Sequence, residues 1–112
     1  MKRHRVIILP AAERDIGEAY EWIADADTEA AVKWYNQLLA AIFSLDIFSE
    51  RAPLAPESEF FNRQIREIFH GRRRHKYRIL FTVSEDEVHV LHVRHGARLT
   101  PGETISEEYI YE

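Results

Sequence analysis

Cysteine is absent from this 112-residue chain and methionine occurs once. Without thiolates there is no disulfide framework and no cysteine-based metal site, a composition compatible with a reducing cytoplasm. No internal repeat or low-complexity tract is present. Long hydrophobic runs are missing too. The basic opening Met1-Lys-Arg-His-Arg5 leads into Val6-Ile-Ile-Leu9 in the manner of a signal peptide, but Pro10, Glu13, Arg14 and Asp15 follow at once. Four apolar residues are too few for a signal core or a bilayer span, so the sequence predicts a first strand in a cytoplasmic protein.

What is there is ordinary for a globular chain: 46% hydrophobic and 30% charged residues. The length supports a single domain, 1–112, in which residues 99–112 form an acidic tail. The net charge of -4 conceals a strong asymmetry. Residues 11–62 hold eleven acidic side chains against three basic ones, whereas residues 63–78 hold seven basic against one acidic. One concentrated basic element in a mildly acidic chain points to a focused contact with an anionic partner.

The periodicity changes along the chain. After the opening strand, Ala12, Ile16, Ala19, Tyr20 and Ile23 recur at helical intervals, with Pro10 suited to the first turn. Asp27 or Thr28 is the expected N-cap of a second helix of roughly 20 residues, carrying Ala31, Trp34, Leu38, Ile42, Leu45 and Phe48 inward. The short link predicts an antiparallel helical hairpin, with Trp22 and Trp34 packed between its helices. Pro53 and Pro56 then exclude helix, so residues 51–62 read as a surface loop with Phe60 and Phe61 folded back. Three β-type runs follow, separated by the basic turn and by Ser84-Glu-Asp-Glu87. In the last of them Val88, Val90 and His92 alternate with His89, Leu91 and Val93. The predicted fold is α+β: an N-terminal strand, an antiparallel helical hairpin, then a three-stranded antiparallel meander in a twisted sheet (β-α-α-β-β-β). The first strand is expected to pair with a later one, leaving no long apolar edge.

Pro10-Ala-Ala-Glu-Arg-Asp-Ile16, the helical hairpin, Ile65-Arg66 with its basic turn, Tyr77-Arg-Ile-Leu-Phe-Thr-Val83 and Val88-His-Val-Leu-His-Val-Arg-His95 occur in this order. Together they resemble the RelE/ParE superfamily of toxins over roughly residues 4–98. The resemblance implies a small growth inhibitor of a type II toxin–antitoxin module, of the plasmid stabilisation kind. A cognate antitoxin protein would wrap and silence it, as a hetero-oligomer or with a toxin homodimer. No cofactor, metal or membrane contact is implied.

The superfamily contains two activities, and the residues bear on both. A ribosome-dependent RelE-type endoribonuclease needs an acid and a base near neutral pKa and cations aimed at the phosphate. His92 and His95 are the candidates for the first role, and Arg66, Arg78, Arg94 and Arg98 for the second. Against this, lysine occurs only three times, and no acid–base side chain follows Arg98 before Glu103. The exit Val93-Arg-His-Gly-Ala-Arg98 is more similar to the ParE-like branch, which implies poisoning of DNA gyrase rather than hydrolysis. A family member without toxicity is the third reading. In the toxic cases the expected target- or antitoxin-binding residues are Arg66, Arg72, Arg73, Arg74, His75, Lys76, Arg78, Arg94 and Arg98. The Arg72–Lys76 cluster also reads as a solvated hairpin tip that resists edge-to-edge aggregation. The tail, with Ile105, Tyr109, Ile110 and Tyr111 among its acids, reads as a cover for the basic turn, a docking strand or a frayed end.

Overall fold

In the computed structural model, residues 3–72 and 76–96 are described. Strand β1 (Arg5–Ile8) leads into helix α1 (Pro10–Ala26), whose N–H-less proline occupies the first turn. Asp27 ends α1 and starts α2 (Thr28–Phe43), its carboxylate accepting from the Ala30 amide at 3.1 Å. That bond satisfies one of the free amides at a helix start. Asp27→Ala is expected to cost about 1 kcal/mol, measurable by urea denaturation at neutral pH.

The second helix is shorter than its periodicity predicts. At Ser44 the hydroxyl donates to the Ala41 carbonyl at 2.6 Å, and the chain restarts as α3 (Leu45–Phe48). A serine competing with the backbone for a carbonyl is a recognised reason for such a break.

Strands β2 (Arg66–His70), β3 (Tyr77–Val83) and β4 (Glu87–His95) form the antiparallel meander. The sheet order is β1-β4-β3-β2, with β1 parallel to β4 and Val6 opposite Val88. The first strand therefore does pair with a later one. The hairpin α1–α2 covers one face of the sheet, burying Ile16, Ile23, Trp34, Leu38 and Ile42 against Ile79, Phe81, Val88, Val90 and Val93.

Residues 51–62 depart from the surface-loop expectation. Ala52, Ala55 and Glu57 are buried, and a second core joins Ala55, Ile65 and Phe61 to Leu80 and Leu91 on the sheet's other face. Phe61 folds back as expected; Phe60 is exposed. The two tryptophans also separate. Trp34 is buried against Tyr77, ring centres 5.1 Å apart, between helix and sheet rather than between helices, while Trp22 is 55% exposed.

A register shift corrects the alternation expected in β4. Phe81 lies opposite Val90 but Leu80 opposite His92, so Leu91 is an extra residue on that strand. Such a bulge reverses the parity of everything after it. Val93 consequently joins the helix-facing core, and Leu91 the second one.

Candidate functional site

The cations that the sequence groups together are divided by the fold. Arg78 lies on the face of β3 turned away from the helices, where residues 52–65 cover it, and is 6% exposed. Its Nη1 and Nη2 donate to the two oxygens of Glu57 at 3.0 and 2.7 Å, and its Nε donates to Glu67 Oε1 at 2.8 Å. Glu57 is itself fully buried. Burial lowers the Arg78 pKa, but the hydrogen bonds it donates to Glu57 and Glu67, with their negative charge, outweigh it and hold the value above that of free arginine. The expectation that Arg78 faces outward is therefore corrected. A buried fork already held by two carboxylates is not presented to a phosphate.

Two more arginines are drawn inward. Half-buried Arg66 donates from Nη1 to the Ala52 carbonyl at 2.5 Å, tying β2 to the segment above it. Arg94, also half-buried, approaches Asp15 Oδ1 at 3.5 Å. The other oxygen of Asp15 accepts from the Val93 amide at 3.0 Å and lies 2.8 Å from His92 Nδ1. Asp15 thus stands where β1 has ended and supplies the acceptor that a continuing strand would have offered to β4.

His92, at 3% exposure, is a packed residue of this junction. That corrects its candidacy as an acid or base acting on RNA, since a general catalyst must reach its substrate. His95 is half-buried and packs edge-on to Tyr77, ring centres 5.3 Å apart.

The exposed cations among the described residues of this region are Arg72 and Lys76, at either end of the β2–β3 connection. Gly71 enters that connection at φ 94°, a left-handed conformation that other residues adopt at a cost. Beside it Phe69 is 51% exposed, with Lys76 Nζ 4.8 Å from its ring centre. A cation over an aromatic face next to a second cation suits an anionic surface bearing apolar or planar groups. Arg73, Arg74, His75 and Arg98, and the acidic tail, lie outside the described residues.

On the helix side of the same turn His70 sits against Trp34, ring centres 6.4 Å apart. Burial lowers its pKa below the ordinary imidazole value, partly offset by a hydrogen bond to the Trp34 backbone. The unfolded chain then binds the proton more readily than the folded one. Stability contributed by neutral His70 is complete above the ordinary imidazole range and is lost as pH falls through and below about 6.5. His70→Gln should flatten the fall in melting temperature between roughly pH 7 and 5; an unchanged profile would remove His70 from that dependence.

Sequence reasoning passed over Asp15 and Glu57. Each is an acid inside an acidic segment, and nothing local separates a buried acid from its solvated neighbours. Among the described residues no group of three histidines or carboxylates could hold a metal, and no helix is long and apolar enough to cross a membrane.

Residues 6–100 match the family model described as the ParE toxin of type II toxin–antitoxin system, parDE. No curated protein matches the chain. A solved structure titled "Chromosomal ParDE TA system from P. aeruginosa" has a chain of similar fold, with a TM-score of 0.64 at 14% identity. The alignment spans 83% of this chain and 96% of that one.

Proposed function

The chain belongs to the ParE toxin family of type II toxin–antitoxin systems, and from that premise we propose a cytoplasmic growth inhibitor that a cognate antitoxin silences and that poisons DNA gyrase when free. The division of the cations supports this reading. Arg66, Arg78 and Arg94 have internal acceptors, while Arg72 and Lys76 stand at the turn beside exposed Phe69. A ribonuclease would want the reverse, with histidines accessible and several cations converging on one phosphate. Burial of His92 on Asp15 disfavours it.

Purified gyrase titrated with the chain tests the proposal. Loss of supercoiling at near-stoichiometric toxin is expected, and full supercoiling at large excess contradicts it. Primer extension on translated mRNA after induction reads the alternative: discrete cuts would transfer the protein to the RelE-type activity.

The basic turn, extended in sequence by Arg73, Arg74 and His75, is the proposed contact for the antitoxin's acidic side chains. The double variant Arg72→Glu, Lys76→Glu should weaken the complex about 10- to 100-fold at low salt, through charges that help association and oppose mismatch. The difference should shrink as salt rises, because exposed charges are screened over about 8 Å at physiological ionic strength. Titration calorimetry at two salt concentrations would check it; a salt-independent loss would mean the turn had been misfolded instead.

A further inference from the structure

Strand β2 is the outermost strand on its side of the sheet. Among the described residues, the segment above it pairs with its first part. Leu54 lies opposite Arg66, and the Glu67 amide donates to the Pro53 carbonyl at 3.1 Å. Phe69 lies past that cover with half its surface exposed, Lys76 over its ring and Arg72 three residues on. An uncovered ring on a sheet edge is a place where another segment of chain can add.

The chain leaves β4 at the same spot. The Gly96 amide donates to the Lys76 carbonyl at 2.9 Å, and a Cβ added to Gly96 would stand 3.9 Å from Phe69 Cε1. Whatever follows Gly96 therefore starts within contact distance of the patch. In sequence, residues 99–112 hold Glu103, Glu107, Glu108 and Glu112 and no basic side chain, with Ile105, Tyr109, Ile110 and Tyr111 among the acids. They carry the charge that Arg72 and Lys76 lack and the apolar groups that the Phe69 ring lacks. A tethered segment acts at an effective concentration on the order of millimolar, so contacts too weak to hold a free peptide still close.

We propose that residues 103–112 dock in cis on Phe69, Arg72 and Lys76, glutamates meeting the cations and an apolar side chain covering the ring. The dipeptide Pro101-Gly102 favours a chain reversal, which a return to the patch requires. Docking concerns this chain alone. Its consequence, that the tail competes with an outside partner for the turn, rests on the contact proposed above. The experiment therefore reads docking without gyrase or antitoxin.

The chain has no cysteine, so Ser106→Cys provides a single attachment point for a nitroxide. In the full ¹⁵N-labelled chain at low salt, the nitroxide should speed relaxation of the Phe69, Arg72 and Lys76 amides. The Glu85 and Asp86 amides, in the turn at the opposite end of β3, should be unaffected. A tail sweeping freely from Gly96 would also brush the basic turn, so charge decides between the two. Glu107→Gln with Glu108→Gln should lower the enhancement at Arg72 and Lys76 about threefold, with the rest of the spectrum intact. Raising the salt concentration should lower it too. Phe69→Ser should reduce it with every charge in place. Equal enhancement in the parent and the glutamine variant would overturn the proposal, as would an even spread over both ends of the sheet. Enhancement that arises only when nitroxide-bearing chains are mixed with unlabelled ¹⁵N chains would give the patch to the tail of a second copy, and would equally overturn docking in cis.

Discussion

Replacing Arg78 with methionine is expected to lower the unfolding free energy by about 3–5 kcal/mol, which leaves a domain of this size only marginally folded. The reason is the stranded partners. Glu57 is fully buried and Glu67 nearly so, and removing the guanidinium leaves two carboxylates without a counter-charge. Glu57→Gln alone should cost less, because Arg78 keeps Glu67. Combining the two substitutions should recover part of the loss, since the buried charge most in need of Arg78 is gone. Arg78→Lys should also destabilise, by about 1–2 kcal/mol, because an ammonium cannot satisfy both oxygens of Glu57 as the planar fork does. Thermal and urea unfolding of the four variants would measure the series. If Arg78→Met and Arg78→Lys both stay within about 1 kcal/mol of the parent, the buried ion pair is not what holds residues 52–65 on the sheet.

Asp15→Ala is expected to cost about 2–4 kcal/mol, from His92 and the Val93 amide losing a shared acceptor inside the protein. For a domain of this size that is roughly a 10–25 °C fall in melting temperature. Asp15→Asn keeps a carbonyl oxygen able to accept from either group, and should therefore fall between parent and alanine. Hydrogen exchange adds a local reading. The Val93 amide should lose protection in Asp15→Ala, while the Ile79 amide at the centre of β3 keeps most of its own. A uniform loss across the sheet, or none at Val93, would mean that Asp15 does not act as the surrogate strand proposed for it.

These two junctions also mark where the sequence stops being informative. Helical spacing from Ala12 to Ile23, the Asp27 cap and the three β-runs are local signals, and the architecture follows them. The pairing of β1 with a later strand was legible as well, because an apolar strand needs a neighbour. Asp15 was not. Its burial depends on β1 stopping at Ile8 and α1 crossing the open edge of β4, a relation between residues almost eighty positions apart. Nor was Arg78, since alternation shows that it points away from the helices but not that residues 52–65 roof that second face. Proline content made the roof look like an exposed loop. The bulge beside Leu91 is a third case, in which one extra residue turned an apparently helix-facing His92 away and brought Val93 in. The candidate site shrank for the same reason. Cations that the sequence groups together were sorted by long-range partners into structural arginines (Arg66, Arg78 and Arg94) and an exposed pair, Arg72 and Lys76.

That sorting is what most needs measuring. Gyrase supercoiling should be assayed in parallel with the parent, with Arg72→Glu, Lys76→Glu, and with Arg78→Lys at a temperature where all three are folded. The account predicts that the turn variant loses inhibition at least tenfold while keeping the parent's melting temperature. Arg78→Lys should melt lower yet still inhibit when folded. Undiminished inhibition by the turn variant, with inhibition abolished in folded Arg78→Lys, would contradict it and return the contact to the face of the sheet.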